Sequence, residues 1–423
     1  MRTMKDSGIE WIGKIPVDWT LQRGKTIFAQ RLTKGNQSEI LLAATQKYGM
    51  LPQSEVEGVV QIKEDADLQQ FRTVHKKDFV ISLRSFQGGF EYSQYEGVCS
   101  PAYQVFYNTN PICHNYYRLL FKSDGFIQKM NSMTVGIREG KNIQYSDFAN
   151  SLIPVPPINQ QQRIADYLDR KCSQIDTIIA RQQEVIEKLK AYRLSVITEA
   201  VTKGLNPDVH MKDSGVEWIG KIPEHWKIGK LCFFTVRIGD GLHGTPEFDD
   251  AGEYYFINGN NLGDTYITIR ENTKSVSLDE YNKYFIALNE NTLLISLNGT
   301  IGNVSQYHGE QIILGKSAGY IIVDSRRELT IDYLKFYLQS KSVKTLFELS
   351  FAGTTINNLS LETLRNLPVC IMTGEEQFHI AKFLEKKCAR IDQVIQKKTL
   401  TIDKLNEYKK SLIYEVVTGK REV

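Results

Sequence analysis

The sequence predicts an α+β fold: two α/β domains and two long coiled-coil helices set in an internal pseudo-twofold repeat. Three observations predict it. MKDSGIEWIGKIPVDW at residues 4–19 returns as MKDSGVEWIGKIPEHW at residues 211–226, with three positions changed. Residues 163–202, opening RIADYLDRKCSQIDTII, lie without a gap over residues 379–418, opening HIAKFLEKKCARIDQVI. The stretches between share a plan of β-rich runs and polar glycine loops but differ in the loops themselves. Self-similarity at a fixed period marks a chain built from repeated units. The expected order is an opening segment at 1–19, an α/β domain at 20–152, a helix at 153–204, a linker and second opening at 205–226, a second α/β domain at 227–366 and a closing helix at 367–423.

Each opening carries two of the chain's four tryptophans, Trp11 and Trp19 in the first and Trp218 and Trp226 in the second. Each domain has a β-rich run leading to a serine, Ser82 or Ser296. A glycine-containing loop follows, then a second β-rich run that holds Tyr103 or Tyr320. The helix after the first domain has one seam at Leu168, Ile175, Gln182, Leu189 and Val196, spaced by seven, and an adjoining seam at Cys172, Ile179, Ile186, Arg193 and Ala200. The other copy gives Leu384, Ile391, Lys398, Leu405 and Leu412 beside Cys388, Ile395, Ile402, Lys409 and Val416. A 4-3 pattern sustained over several heptads is that of coiled-coil packing, and polar residues at matching seam positions can fix register. Asn159 with Gln162, and Thr373 with Glu376, have the spacing of capping boxes. About 40 helical residues make a rod of roughly 60 Å. The plainer alternative, two ordinary amphipathic core helices, calls for a wider apolar stripe than this one.

The bulk composition sets limits. A chain of 423 residues exceeds one ordinary core. The net charge of +3 allows a nucleic-acid partner without announcing one, because local patches matter more than the sum. No apolar run approaches the roughly 18 residues of a membrane span, and MRTMKDSGIEW lacks a secretory core, so a cytoplasmic protein is expected. The six cysteines show no C-x-x-C pair and no zinc spacing, which leaves them as small buried side chains.

Similar openings and helices flanking dissimilar middles suit a common scaffold that carries two different readers. If the helices pack antiparallel, the two domains fall at opposite ends, and a pseudo-dimer can reach two major grooves about 34 Å apart on duplex DNA. Phosphates call for Lys, Arg and hydroxyls, and base edges for Arg, Asn and Gln. In the first domain LRSFQGG offers Arg84, Ser85 and Gln87, and GIREGKN offers Arg138, Lys141 and Asn142. In the second, RIGDGLHGTP offers Arg237 and His243, NGNN offers Asn260, LNGT offers Asn298 and Thr300, and GTTINN offers Thr354, Thr355 and Asn357. The scaffold candidates are the four tryptophans with Leu168, Ile175, Ile179, Ile186, Leu189, Leu384, Ile391, Ile395, Ile402 and Leu405.

No catalytic motif stands beside them. GEQIILGKS at 309–317 approaches the phosphate-binding G-x-x-x-x-G-K-[ST] but has Glu310 where a glycine is required, so it is read as a chance likeness. The N/D-P-P-Y/F tetrapeptide of an adenine methyltransferase is missing; the nearest run is PVPP at a helix start.

The doubled EWIGKIP…W openings, the IA…L…I…I…L helices and the loop GTTINNLSLETLRNLPV together resemble the DNA-specificity subunit of type I restriction–modification systems over essentially the whole chain. The resemblance implies two target-recognition domains and two helices that form an antiparallel coiled coil, a ruler between half-sites. It also implies docking of two modification subunits that methylate adenine N6. They bind S-adenosylmethionine, and two restriction subunits use ATP with Mg2+; no cofactor is expected on this chain. VGIREGKN replaces AGTTINN in the first domain, a departure that puts equal use of the two loops in doubt. The competing reading is a coiled-coil adaptor that binds no DNA.

Overall fold

The computed structural model describes residues 2–35, 39–56, 68–83, 88–133, 143–263, 265–350 and 358–423. These form two compact units, Met1–Gln182 with Thr399–Val423, and Gln183–Lys398. The unit in space therefore differs from the repeat in sequence. The central helix α1 (Ile158–Lys203) and the closing helix α2 (Gly374–Val417) are each divided between the two units.

Both domains are built on the same four-stranded antiparallel sheet. In the first unit β1 (Phe28–Arg31), β2 (Phe79–Ile81), β3 (Phe90–Tyr92) and β4 (Gln104–Asn108) lie in the order β1-β4-β2-β3. In the second, β5 (Thr235–Asp240), β6 (Thr292–Ser296), β7 (Val304–Gln306) and β8 (Ala318–Val323) lie in the order β5-β8-β6-β7. The central strands are buried on both faces, which is why TLLIS and AGYIIV read as continuous apolar runs rather than alternating ones. The registers confirm Ser82 and Ser296 as counterparts: Ser82 N donates to Gly89 O and Ser296 N to Asn303 O. They correct the pairing of Tyr103 with Tyr320. Tyr320 faces Leu294, whose counterpart Val80 faces Val105, so Tyr103 stands two residues too early. The β-rich runs are alike, but a tyrosine in each was a coincidence of spelling.

Helices back each sheet and fill its core with aromatic rings. Phe28, Phe79, Phe106, Phe121 and Phe148 make one interlocked cluster in the first unit, with Phe106 and Phe148 centroids 4.8 Å apart. Pro157 sets the start of α1, its carbonyl accepting from Gln160 N and Gln161 N. Asn159 therefore lies inside the first turn and not at the cap expected for it. Thr373 does cap α2, its Oγ1 accepting from Glu376 N at 3.3 Å.

Within each unit the two long helices run antiparallel. Asp176 of α1 pairs with Lys409 of α2 at 2.6 Å in the first unit, and Arg193 of α1 pairs with Asp392 of α2 at 3.1 Å in the second. In the first unit Arg163 meets Val423 as Asp176 meets Lys409, and in the second Gly204 lies against Glu376 as Arg193 meets Asp392, so residue numbers rise along one helix as they fall along the other. In the 216-residue offset of the repeat, 176 answers to 392 and 193 to 409. The second contact is thus the first with the helices' roles exchanged, as a pseudo-twofold repeat requires. From Cys172 to Val196 and from Leu384 to Val416, every expected seam position is buried or half-buried. The polar interruptions Arg193 and Lys409 are the very residues that form the cross-helix ion pairs.

Candidate nucleic-acid interface

In the second unit the loops holding His243, Asn260, Asn298 and Thr300 converge on one turn, Gly315–Ser317, between the strand Ile312–Leu314 and β8. Leu242 N donates to Leu314 O at 2.7 Å and brings in the loop holding His243. Gly259 N donates to Ser317 Oγ at 2.9 Å, and that hydroxyl donates to Asn258 Oδ1 at 3.0 Å, which docks the NGNN loop. Leu297 N donates to Ser317 O, and Leu359 N donates to Leu297 O, each at 2.9 Å. Asn298 thereby pairs antiparallel with Asn358, so LNGT meets the end of GTTINN. The approach is close enough to exclude side chains. A Cβ on Gly241 would lie 2.1 Å from Leu314 O, and one on Gly315 would lie 2.3 Å from Asn258 Oδ1.

Asn260, Thr300 and His243 are exposed on these loops. His243 Nε2 lies 2.7 Å from Asp240 Oδ2. Asn298 is half-buried, and its Oδ1 has no hydrogen-bond partner among the described residues. On the edge strand β5, exposed Arg237 lays its guanidinium 5.3 Å from the centroid of the Tyr320 ring. Burial raises the Tyr320 phenol above its usual range, and the charges of Arg237 and Arg365 oppose that rise. Arg365 Nη2 donates to Ile238 O at 3.2 Å. Sequence reasoning missed two cations here: Arg365, and Lys316, which stands exposed on the turn where the loops meet. The signal for Lys316 was the Gly-Lys-Ser of the apparent phosphate loop, set aside because its spacing is wrong.

Arg84, Ser85, Gln87, Arg138, Lys141 and Asn142 of the first unit, and Thr354, Thr355 and Asn357 of the second, lie outside the described residues. The flanks of the first of these loops match those of LNGT. Gly88 has φ +92° and Gly302 φ +83°, each in the left-handed region that suits glycine, and each next to the residue that closes its loop.

The scaffold candidates form a repeated set of contacts. Trp19 and Trp226 are wholly buried, and their Nε1 atoms donate to Gln160 Oε1 at 2.8 Å and Glu376 Oε1 at 3.0 Å. Trp11 and Trp218 are half-buried; Tyr414 Oη donates to the Trp11 carbonyl at 2.6 Å. Leu168, Ile175, Ile186, Leu384 and Ile391 are buried on the seam, and Ile179, Leu189, Ile395, Ile402 and Leu405 are half-buried there. Two buried tyrosines, which the sequence did not single out, tie the far ends of the helices into the domains. Tyr116 Oη donates to Val417 O and Tyr333 Oη to Val201 O, both at 2.9 Å. Each domain thus grips the final turn of the helix that began in the other repeat.

Among the described residues no group of His, Cys, Asp and Glu is arranged to hold a metal ion. No described helix is long and apolar enough to cross a membrane. Residues 16–188 and 224–411 match the family model of the type I restriction modification DNA specificity domain. The chain belongs to that family. The family is a non-catalytic one, and curated relatives are named specificity subunits. The EcoBI specificity subunit of Escherichia coli is 22% identical over 312 residues, 70% of this chain and 64% of that protein, so the match spans a little under two thirds of the relative. A putative type I restriction enzyme specificity subunit, MjaX, of Methanocaldococcus jannaschii is 24% identical over 434 residues, 97% of this chain and 96% of that one. Among solved structures, a chain from work on complex assembly and conformational transition of the type I R-M system superposes with a TM-score of 0.70 at 14% identity, over 96% of this chain and 100% of that one. The HsdS subunit from Thermoanaerobacter tengcongensis gives a TM-score of 0.51 at 13% identity, over 98% and 100%. These two likenesses speak to the fold.

Proposed function

We propose that this chain selects the site at which a type I restriction–modification complex acts. It reads a bipartite, asymmetric DNA sequence, one half-site per domain, with the gap set by the antiparallel helices. The observation that carries the reading is the pairing of two like-built domains, unlike in their loops, with a helical scaffold whose contacts are repeated position by position. Trp19–Gln160 and Trp226–Glu376, Tyr116–Val417 and Tyr333–Val201, Asp176–Lys409 and Asp392–Arg193 are the same contacts made twice. A surface presented twice suits two copies of one partner, and loops that differ suit two different half-sites.

The partners on this reading are duplex DNA, two adenine-N6 methyltransferase subunits and two restriction subunits. S-adenosylmethionine, and ATP with Mg2+, belong to those subunits, and the work is done in the cytoplasm. The target adenine must leave the base stack to be methylated, which is the partner's task. This chain supplies orientation: phosphate contacts fix register and loop side chains distinguish bases.

The test is to map N6-methyladenine in DNA from cells that carry this chain with its modification subunit. The expected product is a split motif with a fixed gap. Methylation without a shared motif, or an unsplit motif, refutes the proposal.

A further inference from the structure

We infer that Lys316 is a base-reading residue of the second unit and that the half-site this unit recognises contains a guanine contacted by Lys316. The inference rests on the DNA-reading function proposed above and specifies its chemistry.

Three loops that are far apart in sequence are drawn together at Gly315–Ser317 by backbone and hydroxyl hydrogen bonds, and Leu359 bonds to one of them. Glycines at 241 and 315 sit where any Cβ would strike Leu314 O or Asn258 Oδ1. The turn is thereby held as a fixed platform. Lys316 is the exposed side chain upon it. Among the described residues no ion pair or side-chain hydrogen bond engages its ammonium, whereas Asp240 is paired with His243. The loops bonded to this turn carry groups suited to base edges: exposed Asn260, exposed Thr300 and the Asn298 carboxamide, whose Oδ1 has no partner among the described residues. The guanidiniums of Arg237 and Arg365 both lie at the edge strand β5.

That layout matches what a groove demands. Phosphate contacts fix register and base edges carry the sequence, so on this assignment the edge-strand guanidiniums fall to phosphates and the side chain at the meeting point of the loops falls to a base edge. A lysine presents donors only, and the major-groove edge offering two acceptors side by side is guanine O6 and N7. Asparagine amides suit adenine N6 and N7 in the same groove.

The experiment compares complexes of the full chain with its modification subunit, carrying wild-type, Lys316→Ala or Lys316→Gln, by the motif they methylate in genomic DNA. The expected result is relaxation at one G·C pair of one half-site, with discrimination there falling by about fivefold or more, while the other half-site and the gap stay unchanged. The unchanged half-site shows that the variant is folded and assembled. Lys316→Gln removes the charge and keeps most of the length, and it decides the matter if Lys316→Ala does not accumulate. An unaltered motif in the variant, altered bases in both half-sites, or uniform weakening with the motif intact overturns the assignment. Absence of any motif with the wild-type chain refutes instead the DNA-reading function itself.

Discussion

The tyrosine that reaches into the end of α1 invites a quantitative test. Tyr333 and Val201 are both wholly buried, and the hydroxyl donates to the carbonyl at 2.9 Å. Val201 lies in the last turn of α1, which ends at Lys203. Its carbonyl is one of the four at a helix end that lack the usual intrahelical donor. Tyr333→Phe keeps the ring and its packing but deletes the donor, leaving a buried acceptor unsatisfied at a cost of about 1–3 kcal/mol. For a unit of roughly 200 residues this lowers Tm by roughly 2–12 °C. Calorimetry gives the shift, and amide hydrogen exchange locates it: exchange should quicken at the turn where Gly204 N donates to Ala200 O. Tyr116→Phe is the matched variant and should act on Val417 and the first unit alone. A Tyr333→Phe protein within about 0.5 kcal/mol of wild type, with unchanged exchange at residues 200–204, would refute the idea that this hydroxyl closes the helix end.

Charge reversal at Lys409 should weaken the first unit by about 1 kcal/mol or less, since Lys409 and Asp176 are partly solvated, and Lys409→Asp with Asp176→Lys should restore most of it in a double-mutant cycle by denaturant melting. Gly241→Ala drives a methyl onto the Leu314 carbonyl, so it should spoil recognition of one half-site in a methylation map while sparing the other. Burial raises the phenols of Tyr116, Tyr333 and Tyr337 well above their ordinary value, so folded tyrosines hold protons that unfolded ones release above about pH 10. Stability from this source is full below pH 10 and should fall as pH climbs beyond it, as read by Tm across an alkaline series. Burial likewise pushes the Cys99 and Cys370 thiols up to about 12, and a thiolate-seeking reagent at pH 8 should label them only after unfolding.

Much of the scaffold was legible because repetition and a period of seven are linear signals. The seam from Leu168 to Ala200 could be written down from spacing alone, and Arg193 and Lys409 stood out by interrupting it. Their partners did not: Asp176 and Asp392 flank the seam and look like any solvated carboxylates. The Tyr333 contact spans 132 residues and ends on a backbone carbonyl, which carries no sequence signature. At the reading face the loops were recognisable one at a time as polar and glycine-rich. Their meeting at Gly315–Ser317 depends on strand order, which spacing does not encode. Lys316 was therefore judged by the motif it sits in rather than by its surroundings. The Asn159 cap failed for a local reason, because Pro157 had already fixed where the helix begins.

The division of the long helices has a consequence for how the protein is made. Residues 183–398 make up the whole of the second unit, whose contacts are all present once that stretch has left the ribosome. The first unit draws Leu412, Val416 and Val417 into its core. Its domain emerges early and must wait, with apolar surface uncovered, until more than two hundred further residues have been translated. The half of the molecule synthesised first is the half completed last, and chaperone dependence or misfolding during synthesis should concentrate there.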